Sequence, residues 1–361
     1  MKKRFFFELP FLAVLVSAFA VFGACTSSSG TARNEYWPTK DWRSCRPEKQ
    51  GMDSAKLGEI AGYVQTESPN TTGVLVVRNG YLVFEEYYLD DKDTLRSLKS
   101  ATKGLTTTLM GIAVTEGLIG SVDDKISPYL PDSCTKNVSP RADEITFKHL
   151  LTMTSSLPAL FWDDLYSSGR METIMSKPLE HVPGEYWQYD DVNPDLLLAI
   201  ITEKTGMPTS AFVEEKLFRP LGIEDYFWMG YGDYLYGGGR LQLKTRDMAK
   251  IGYLYLREGV WDNKQLVSQE YIRDAVRKHY EIPVTGVFGS DTIGGDGLSF
   301  GYSWWTGTVK DYFSYSAYGY FACVIEVIPE LDMVIVITQD GTPPGHYPIV
   351  DNYILESVLD K

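Results

Sequence analysis

Residues 96–113 read RSLKSATKGLTTTLMGIA, an extended segment followed by an apolar run. The apolar positions after Lys103 repeat at helical spacing and predict a helix over residues 103–116. Ser100 and Lys103 stand three residues apart where that helix begins. Side chains with this spacing share a helical face and lie about 5–6 Å apart at Cβ. The sequence therefore predicts a hydroxyl and an ammonium held side by side.

This pair of side chains has the chemistry of an acyl-transfer site. A serine hydroxyl is a weak nucleophile without a base, and a lysine whose pKa is depressed by burial supplies one. The helix start also offers free backbone N–H groups to an oxyanion. A second Ser-x-x-Lys, Ser133 to Lys136, has no apolar helix after it, and we interpret it as an exposed loop.

Composition narrows the classes of function. The 361 residues suggest one large or two modest domains. The formal net charge of −14 argues against nucleic-acid binding, which needs clustered positive charge. No His-Glu-x-x-His pattern occurs, so no metal site is predicted. We interpret each histidine as structural; the four are His149, His181, His279 and His346.

The first 24 residues have the pattern of an export signal. A basic start is followed by an apolar run that ends in small residues before Cys25, as in a bacterial lipoprotein signal. We expect a lipid on Cys25, a tether over residues 25–46, and a location in the bacterial cell envelope. The alternatives are a plain signal peptide cut elsewhere or an uncleaved anchor. The three other cysteines permit at most one disulfide; they are Cys45, Cys134 and Cys323.

Strand patterns lie near both ends of the chain and helical patterns fill the middle. Asn79-Gly80 between two β-rich runs predicts a hairpin. Helices are also expected over 52–67 (capped by Asp53), 145–153, 194–205 and 247–257, and strands over 300–306, 321–328 and 333–338. We predict an α/β (α+β) fold in which residues 70–95 and 298–340 form one antiparallel sheet flanked by helices. Residues 100–297 form an inserted, mainly helical lobe. The catalytic domain spans 47–345, and 346–361 form a C-terminal helix packed on it.

An ordered set of motifs closely resembles the penicillin-recognising serine hydrolases. The likeness is to the class C β-lactamase-related branch, which includes esterases and 6-aminohexanoate-dimer hydrolases, and it covers roughly residues 40–340. It implies a β-lactamase/transpeptidase-like fold. Besides residues 96–119, the segments that carry it are 47–53, 149–155, 183–189, 237–240, 247–252 and 301–305.

The resemblance also implies roles for site residues. Ser100 falls on the family's nucleophile and Lys103 on its base, while Tyr189 of Tyr189-Asp190-Asp191 falls on its proton-relaying tyrosine. A core aromatic is the alternative for Tyr189. Asp191 stands where Asn, Ser or Gly is more usual and is predicted to contact substrate.

The third motif of the family maps to Ala317-Tyr318-Gly319, which we predict to bind substrate. The backbone N–H of the next residue, Tyr320, would form the oxyanion hole with that of Ser100. No lysine stands in this motif to bind a penicillin carboxylate, which argues against efficient β-lactamase activity. Trp162 is predicted to rim the cleft, with a solvated surface loop as the alternative.

The sequence thus predicts a serine hydrolase that cleaves an ester, amide or peptide bond of a small substrate through an acyl-enzyme on Ser100. No cofactor and no nucleic-acid partner are expected, and membrane contact is through the N-terminal lipid alone. The rival interpretation is a non-catalytic or very slow envelope protein of the penicillin-binding-protein fold that binds peptidoglycan or a peptide.

Overall fold

Valine- and isoleucine-rich runs from both ends of the chain form one antiparallel sheet. The computed structural model describes residues 36–135, 139, 141–158, 170–282, 298–320, 323–341 and 347–359. Its strands are β1 (Thr71–Arg78), β2 (Tyr81–Tyr87), β3 (Arg96–Ser97), β4 (Tyr226–Trp228), β5 (Gly230–Tyr231), β6 (Tyr234–Leu235), β7 (Leu241–Leu243), β8 (Val260–Trp261), β9 (Lys264–Gln265), β10 (Tyr280–Glu281), β11 (Ser299–Phe300), β12 (Trp305–Val309), β13 (Tyr312–Gly319), β14 (Cys323–Ile328) and β15 (Met333–Gln339).

The helices lie mostly between the two groups of sheet strands. They are α1 (Ser54–Glu67), α2 (Thr102–Thr115), α3 (Asp132–Thr135), α4 (Phe147–Leu151), α5 (Arg170–Ser176), α6 (Val192–Thr205), α7 (Thr209–Val213), α8 (Arg219–Leu221), α9 (Thr245–Leu256), α10 (Gln269–Ala275) and α11 (Tyr347–Ile349). Short 3-10 turns and two π-helical turns, Glu214–Phe218 and Val350–Ile354, extend several of them.

The main sheet has the strand order β10-β11-β12-β13-β14-β15-β1-β2 among the described strands. β1 pairs with both β2 and β15, so the first hairpin of the chain lies beside its last strand. The predicted turn at Asn79-Gly80 is confirmed, with positive φ at both residues, as a tight hairpin requires. This arrangement confirms the antiparallel sheet with flanking helices.

Alternating side chains of the central strands enter two separate cores, because successive residues of a strand point to opposite faces. Leu75 and Val77 of β1 face the core that holds α2 and α9. Val74 and Val76 face the core that holds α1 and the C-terminal turns. Helices thus cover both faces of the sheet.

Several predicted boundaries differ from the structure. Helix α4 is shorter than expected, and the expected strand at 300–306 is two strands, β11 and β12, with Ser303 at positive φ between them. The predicted C-terminal helix is a series of mixed helical turns over 347–357 that packs on α1 through Tyr63 and Tyr353. The Asp53 cap is confirmed: its carboxylate accepts the N–H groups of Ala55 and Lys56.

Residues 36–361 cluster into one compact unit, and within it the inserted lobe carries small sheets besides its helices. The described residues contain no helix with the length and apolar character needed to cross a bilayer.

Candidate active site

Ser100 lies in a single 3-10 turn, Lys99–Ala101, that leads directly into α2. Two contacts fix this turn: Leu98 N–H donates to the Leu241 carbonyl at 2.9 Å, and the Thr102 hydroxyl donates to the Lys99 carbonyl at 2.6 Å. Lys99 has φ +49°, a left-handed conformation that costs a non-glycine residue energy. Such strain is concentrated at functional sites, and here it presents the half-buried Ser100 at the start of α2.

Lys103 projects from α2 into a polar pocket formed by distant parts of the chain. Its side chain is 1% exposed. The ammonium donates to Asp191 Oδ1 at 2.5 Å and to the Gly238 carbonyl at 2.8 Å. It also lies 4.7 Å from the centroid of the Tyr189 ring. The structure therefore brings together Lys103, Tyr189 and Asp191, three of the predicted site residues.

The charge of Lys103 differs from the sequence-based expectation. Burial lowers the pKa of Lys103, but interactions with the Tyr189 hydroxyl and the Asp191 carboxylate outweigh it and raise the pKa above its usual value. The expectation of a depressed pKa for Lys103 is wrong, because that expectation follows from burial alone and the Asp191 carboxylate lies beside the buried ammonium. The contacts of Lys103 Nζ with two acceptors, Asp191 Oδ1 and the Gly238 carbonyl, also favour its ammonium form.

Tyr189 is held by an aromatic cluster. Its ring stacks on Trp305 at a centroid distance of 5.8 Å and meets Phe300 edge-on at 6.3 Å and Trp187 at 6.2 Å. These contacts fix the ring, while its hydroxyl interacts with Lys103. The two alternatives for Tyr189, core aromatic and site residue, are therefore compatible in this geometry.

Asp191 and Gly238 are packed directly against each other. A Cβ placed on Gly238 would lie 2.5 Å from Asp191 Oδ1, so a side chain here would displace the carboxylate. The Asp191 side chain is 36% exposed, although its Oδ1 is bound to Lys103. Substrate contact by Asp191 stays a prediction, and the observed partner of its carboxylate is Lys103.

Beside Tyr189 lies a buried polar network that the sequence motifs do not predict. Asp190 accepts the backbone N–H of Asn193 at 2.9 Å and its side-chain amide at 2.7 Å, and Ser155 donates to Asn193 Oδ1 at 2.5 Å. Burial raises the pKa of Asp190 to about 7, and the nearby Asp191 carboxylate contributes to the shift. The three-residue spacing of Asp190 and Asn193 at the start of α6 was the available signal.

The third predicted motif lies against the Ser100 turn. A Cβ on Gly319 would lie 2.1 Å from the Leu98 carbonyl oxygen, so only glycine permits this approach of β13. Ala317 and Tyr318 are buried, Ala317 in the α2 core and Tyr318 in the α1 core. Tyr320 follows at the end of the strand and is 52% exposed. The oxyanion role of the Ser100 and Tyr320 N–H groups and substrate contact by residues 317–319 stay predictions.

Other candidate residues lie elsewhere or outside the described residues. Trp162, Cys25 and Lys136 belong to the latter group. Ser133 is in the short helix α3, not a loop, and its exposed hydroxyl donates to Glu172 at 2.6 Å. Residues 297–301, GLSFG, match Gly-x-Ser-x-Gly, a pattern of other serine hydrolases. However, Ser299 is buried in β11 and contacts Thr306 Oγ1 at 2.9 Å.

The described histidines and cysteines have other partners than the Lys103 pocket residues, and His346 lies outside the described residues. Thr146 caps α4 by accepting the His149 N–H, and His149 Nδ1 accepts the Thr146 N–H in return, while His279 contacts the backbone of Asp274. In the described part of the chain Cys45, Cys134 and Cys323 are free thiols. Nor do the described residues contain a group of three or more His, Cys, Asp or Glu side chains arranged to hold a metal ion.

Comparison with known proteins places the chain in a family. The family model described as Beta-lactamase matches residues 58–360. The chain belongs to the Beta-lactamase family. Membership of this family indicates a hydrolase of the β-lactamase fold.

Similar structures and sequences support this assignment of the fold. A penicillin-binding protein homologue from Pyrococcus abyssi has a TM-score of 0.65 at 22% identity, over 86% of this chain and 78% of that one. A class C β-lactamase from Rhodobacter sphaeroides has a TM-score of 0.66 at 15% identity, over 84% and 99%. An uncharacterized protein of Alkalihalophilus pseudofirmus is 24% identical over 77% of this chain and 87% of its own. The chain spans about half the length of a candidate D-alanyl-D-alanine carboxypeptidase from Salmonella agona, at 26% identity.

Proposed function

We propose that this member of the Beta-lactamase family hydrolyses an ester or amide bond through an acyl-enzyme on Ser100. The observation that carries the proposal is the buried Lys103 ammonium, one turn from Ser100 and in contact with both Tyr189 and Asp191. A protonated, hydrogen-bonded group beside a serine at a helix start is suited to moving protons during acyl transfer. The position of Tyr189, fixed by Trp305, supports its part in the same transfer.

The proposed reaction has two steps. Ser100 Oγ forms a bond to the substrate carbonyl carbon as its proton leaves through Tyr189 and Lys103, and the leaving group departs with a proton returned by the same residues. Water then attacks the acyl-enzyme and releases the acid and the free serine. The backbone N–H groups of Ser100 and Tyr320 are proposed to hold the oxyanion in both steps. The close approach of Gly319 to Leu98 supports this pairing, because it brings the end of β13 to the Ser100 turn.

We propose a small ester, amide or peptide as the substrate rather than a penicillin. The third motif, 317–319, contains no lysine for a penicillin carboxylate. The structural neighbours include a hydrolase with promiscuous acyltransferase activity, which is similar over 85% of this chain at a TM-score of 0.65 and 14% identity. That likeness makes an acyl ester a reasonable first test substrate.

We also propose that the protein is exported and lipidated at Cys25, which rests on the sequence pattern of residues 1–25. Cells fed an alkyne fatty acid should label the wild-type chain and not Cys25→Ala. Equal labelling of both chains would exclude this site of lipidation.

The central test is hydrolysis of p-nitrophenyl butyrate by the purified chain, beside Ser100→Ala and Ser133→Ala. Turnover lost only in Ser100→Ala supports the proposal and distinguishes the two Ser-x-x-Lys copies. Equal activity in Ser100→Ala would refute it. If no ester or amide is turned over, intact mass after incubation with a fluorophosphonate or a penicillin decides whether Ser100 is reactive. An unmodified Ser100 would favour the rival function, binding of peptidoglycan or a peptide without turnover.

A further inference from the structure

The Asp191 carboxylate accepts a hydrogen bond from the Lys103 ammonium and so affects how Lys103 can accept and release protons. The Nζ–Oδ1 distance is 2.5 Å, and a third contact of the buried ammonium, the Gly238 carbonyl at 2.8 Å, is also an acceptor. An ammonium surrounded by acceptors holds its proton in the resting site. The Lys103 ammonium can accept a further proton only if it gives up one of its own at the same time. The Asp191 carboxylate is positioned to receive the proton that Lys103 gives up.

We propose that Asp191 is the terminal proton acceptor of a relay that starts at the Ser100 hydroxyl and passes through Tyr189 and Lys103. This inference rests on the proposed acyl-enzyme function. Ser100 Oγ gives its proton to Tyr189 Oη as it attacks the carbonyl carbon, Tyr189 gives its own proton to Lys103 Nζ, and Lys103 gives one to Asp191 Oδ1. Tyr189 and Lys103 end with the protons they began with, Ser100 has lost one, and Asp191 has gained one.

The surroundings of Asp191 fit this role. Gly238 leaves room for the carboxylate, because any side chain there would collide with Asp191 Oδ1. The Gly238 N–H donates to Asp195 Oδ1 at 3.1 Å, which fixes the loop whose carbonyl binds Lys103. Among the described residues, Tyr189, Asp190 and Asp195 are titratable groups close to the Lys103–Asp191 pair. Since Asp190 is already bound to Asn193, Asp191 is the acceptor that contacts the ammonium directly.

The variant Asp191→Asn separates proton acceptance from mere positioning. Its amide oxygen still accepts a hydrogen bond from Lys103, but it takes up no proton and carries no charge. The relay predicts that kcat/KM for p-nitrophenyl butyrate at pH 7 falls by about 100-fold or more, the usual contribution of a general base. The loss should shrink as the pH rises, because the pKa of Lys103 falls when one of the groups that raise it is removed, and a neutral amine can then act as the base.

Asp225→Asn is the matched control. Asp225 also contacts a lysine, Lys244, at 2.5 Å, but this pair lies at the surface with the Asp225 side chain 66% exposed. The Asp225→Asn variant should keep wild-type activity, and thermal melting should show that both the Asp191→Asn and the Asp225→Asn variants are folded. Asp191→Asn activity equal to or above wild type at pH 7 overturns the relay.

A second measurement needs no variant. The rate of the wild-type enzyme in mixtures of H₂O and D₂O should curve with the deuterium fraction, because several protons move in one step; a straight line overturns the relay. If the wild-type chain neither turns over an ester nor is labelled on Ser100 by a fluorophosphonate, the proposed function itself fails and the relay with it. If the wild-type chain turns over the ester but its rate varies linearly with the deuterium fraction, only the relay is rejected and the proposed function stands. The same conclusion holds if the Asp191→Asn variant is as active as the wild type.

Discussion

Glu326 is a buried carboxyl on β14 whose replacement by glutamine should change how stability depends on pH. Strand alternation places it on the face that also carries Val324 and Ile328, under the C-terminal turns. It is 1% exposed, and its Oε2 has no hydrogen-bond partner among the described residues. Burial raises the pKa of Glu326 to about 7 from 4.5, and the Asp351 carboxylate adds to the shift.

The size of the effect follows from this shift. An acid whose pKa is higher in the folded state stabilises the fold below its unfolded pKa and loses that contribution as the pH rises through its folded pKa. One pKa unit corresponds to about 1.4 kcal/mol, so the shift from 4.5 to about 7 corresponds to a loss of up to about 3 kcal/mol between pH 4.5 and pH 8. Glu326→Gln, which is uncharged at every pH, should not suffer this loss.

Urea unfolding of the wild type and of Glu326→Gln at pH 5 and pH 8 measures the effect. The stability of the variant relative to wild type should increase by about 2–3 kcal/mol from pH 5 to pH 8. Titrating groups that do not interact with Glu326, including Asp190, are present in both proteins and cancel in the difference. The exposed Glu224→Gln should show no such change. A difference that is the same at both pH values would refute the reasoning.

Three further predictions concern single features of the structure. Gly319→Ala would place a Cβ 2.1 Å from the Leu98 carbonyl oxygen and push β13 away from the Ser100 turn, so we expect kcat/KM for the ester to fall by at least about 100-fold. Circular dichroism should show that the variant is folded. Near-normal turnover would show that the close approach of β13 is not needed for activity. Asp53→Ala removes the cap of α1 and should cost about 1 kcal/mol in urea unfolding without changing activity; an unchanged midpoint would contradict the cap. Burial raises the pKa of Cys323 to about 12, so iodoacetamide at pH 8 should leave this thiol unlabelled in the native chain and label it in urea; labelling of native Cys323 would contradict its burial.

Local sequence patterns predicted most of the elements. The hairpin at Asn79-Gly80, the Asp53 cap and helix α2 depend on contacts between residues close together in the chain, and such contacts are visible in the sequence. Boundaries were less accurate where distant packing decides them. The separation of β11 from β12 depends on the turn around Ser303, whose N–H donates to the Leu151 carbonyl of α4.

The motif order also identified the residues that gather at the candidate site, but not its charge. The spacing of three residues predicts that Ser100 and Lys103 are neighbours, and the structure places Ser100 in the 3-10 turn that leads into α2, which carries Lys103. The place of Lys103 in an apolar helix correctly predicts that its side chain is buried. Burial alone would lower the pKa of Lys103, which is why the sequence predicts a depressed value. The partners that reverse this direction cannot be read from that helix.

Local spacing and the order of motifs were enough to predict helix α2, the fold class and the family resemblance. The pKa of Lys103 depends instead on groups that are distant in the chain and close in space. Two of the groups that Lys103 contacts, Asp191 and Gly238, lie 88 and 135 residues further along the chain. Electrostatic interaction depends on distance in space, and in this buried site the Tyr189 hydroxyl and the Asp191 carboxylate together outweigh the cost of desolvating the ammonium.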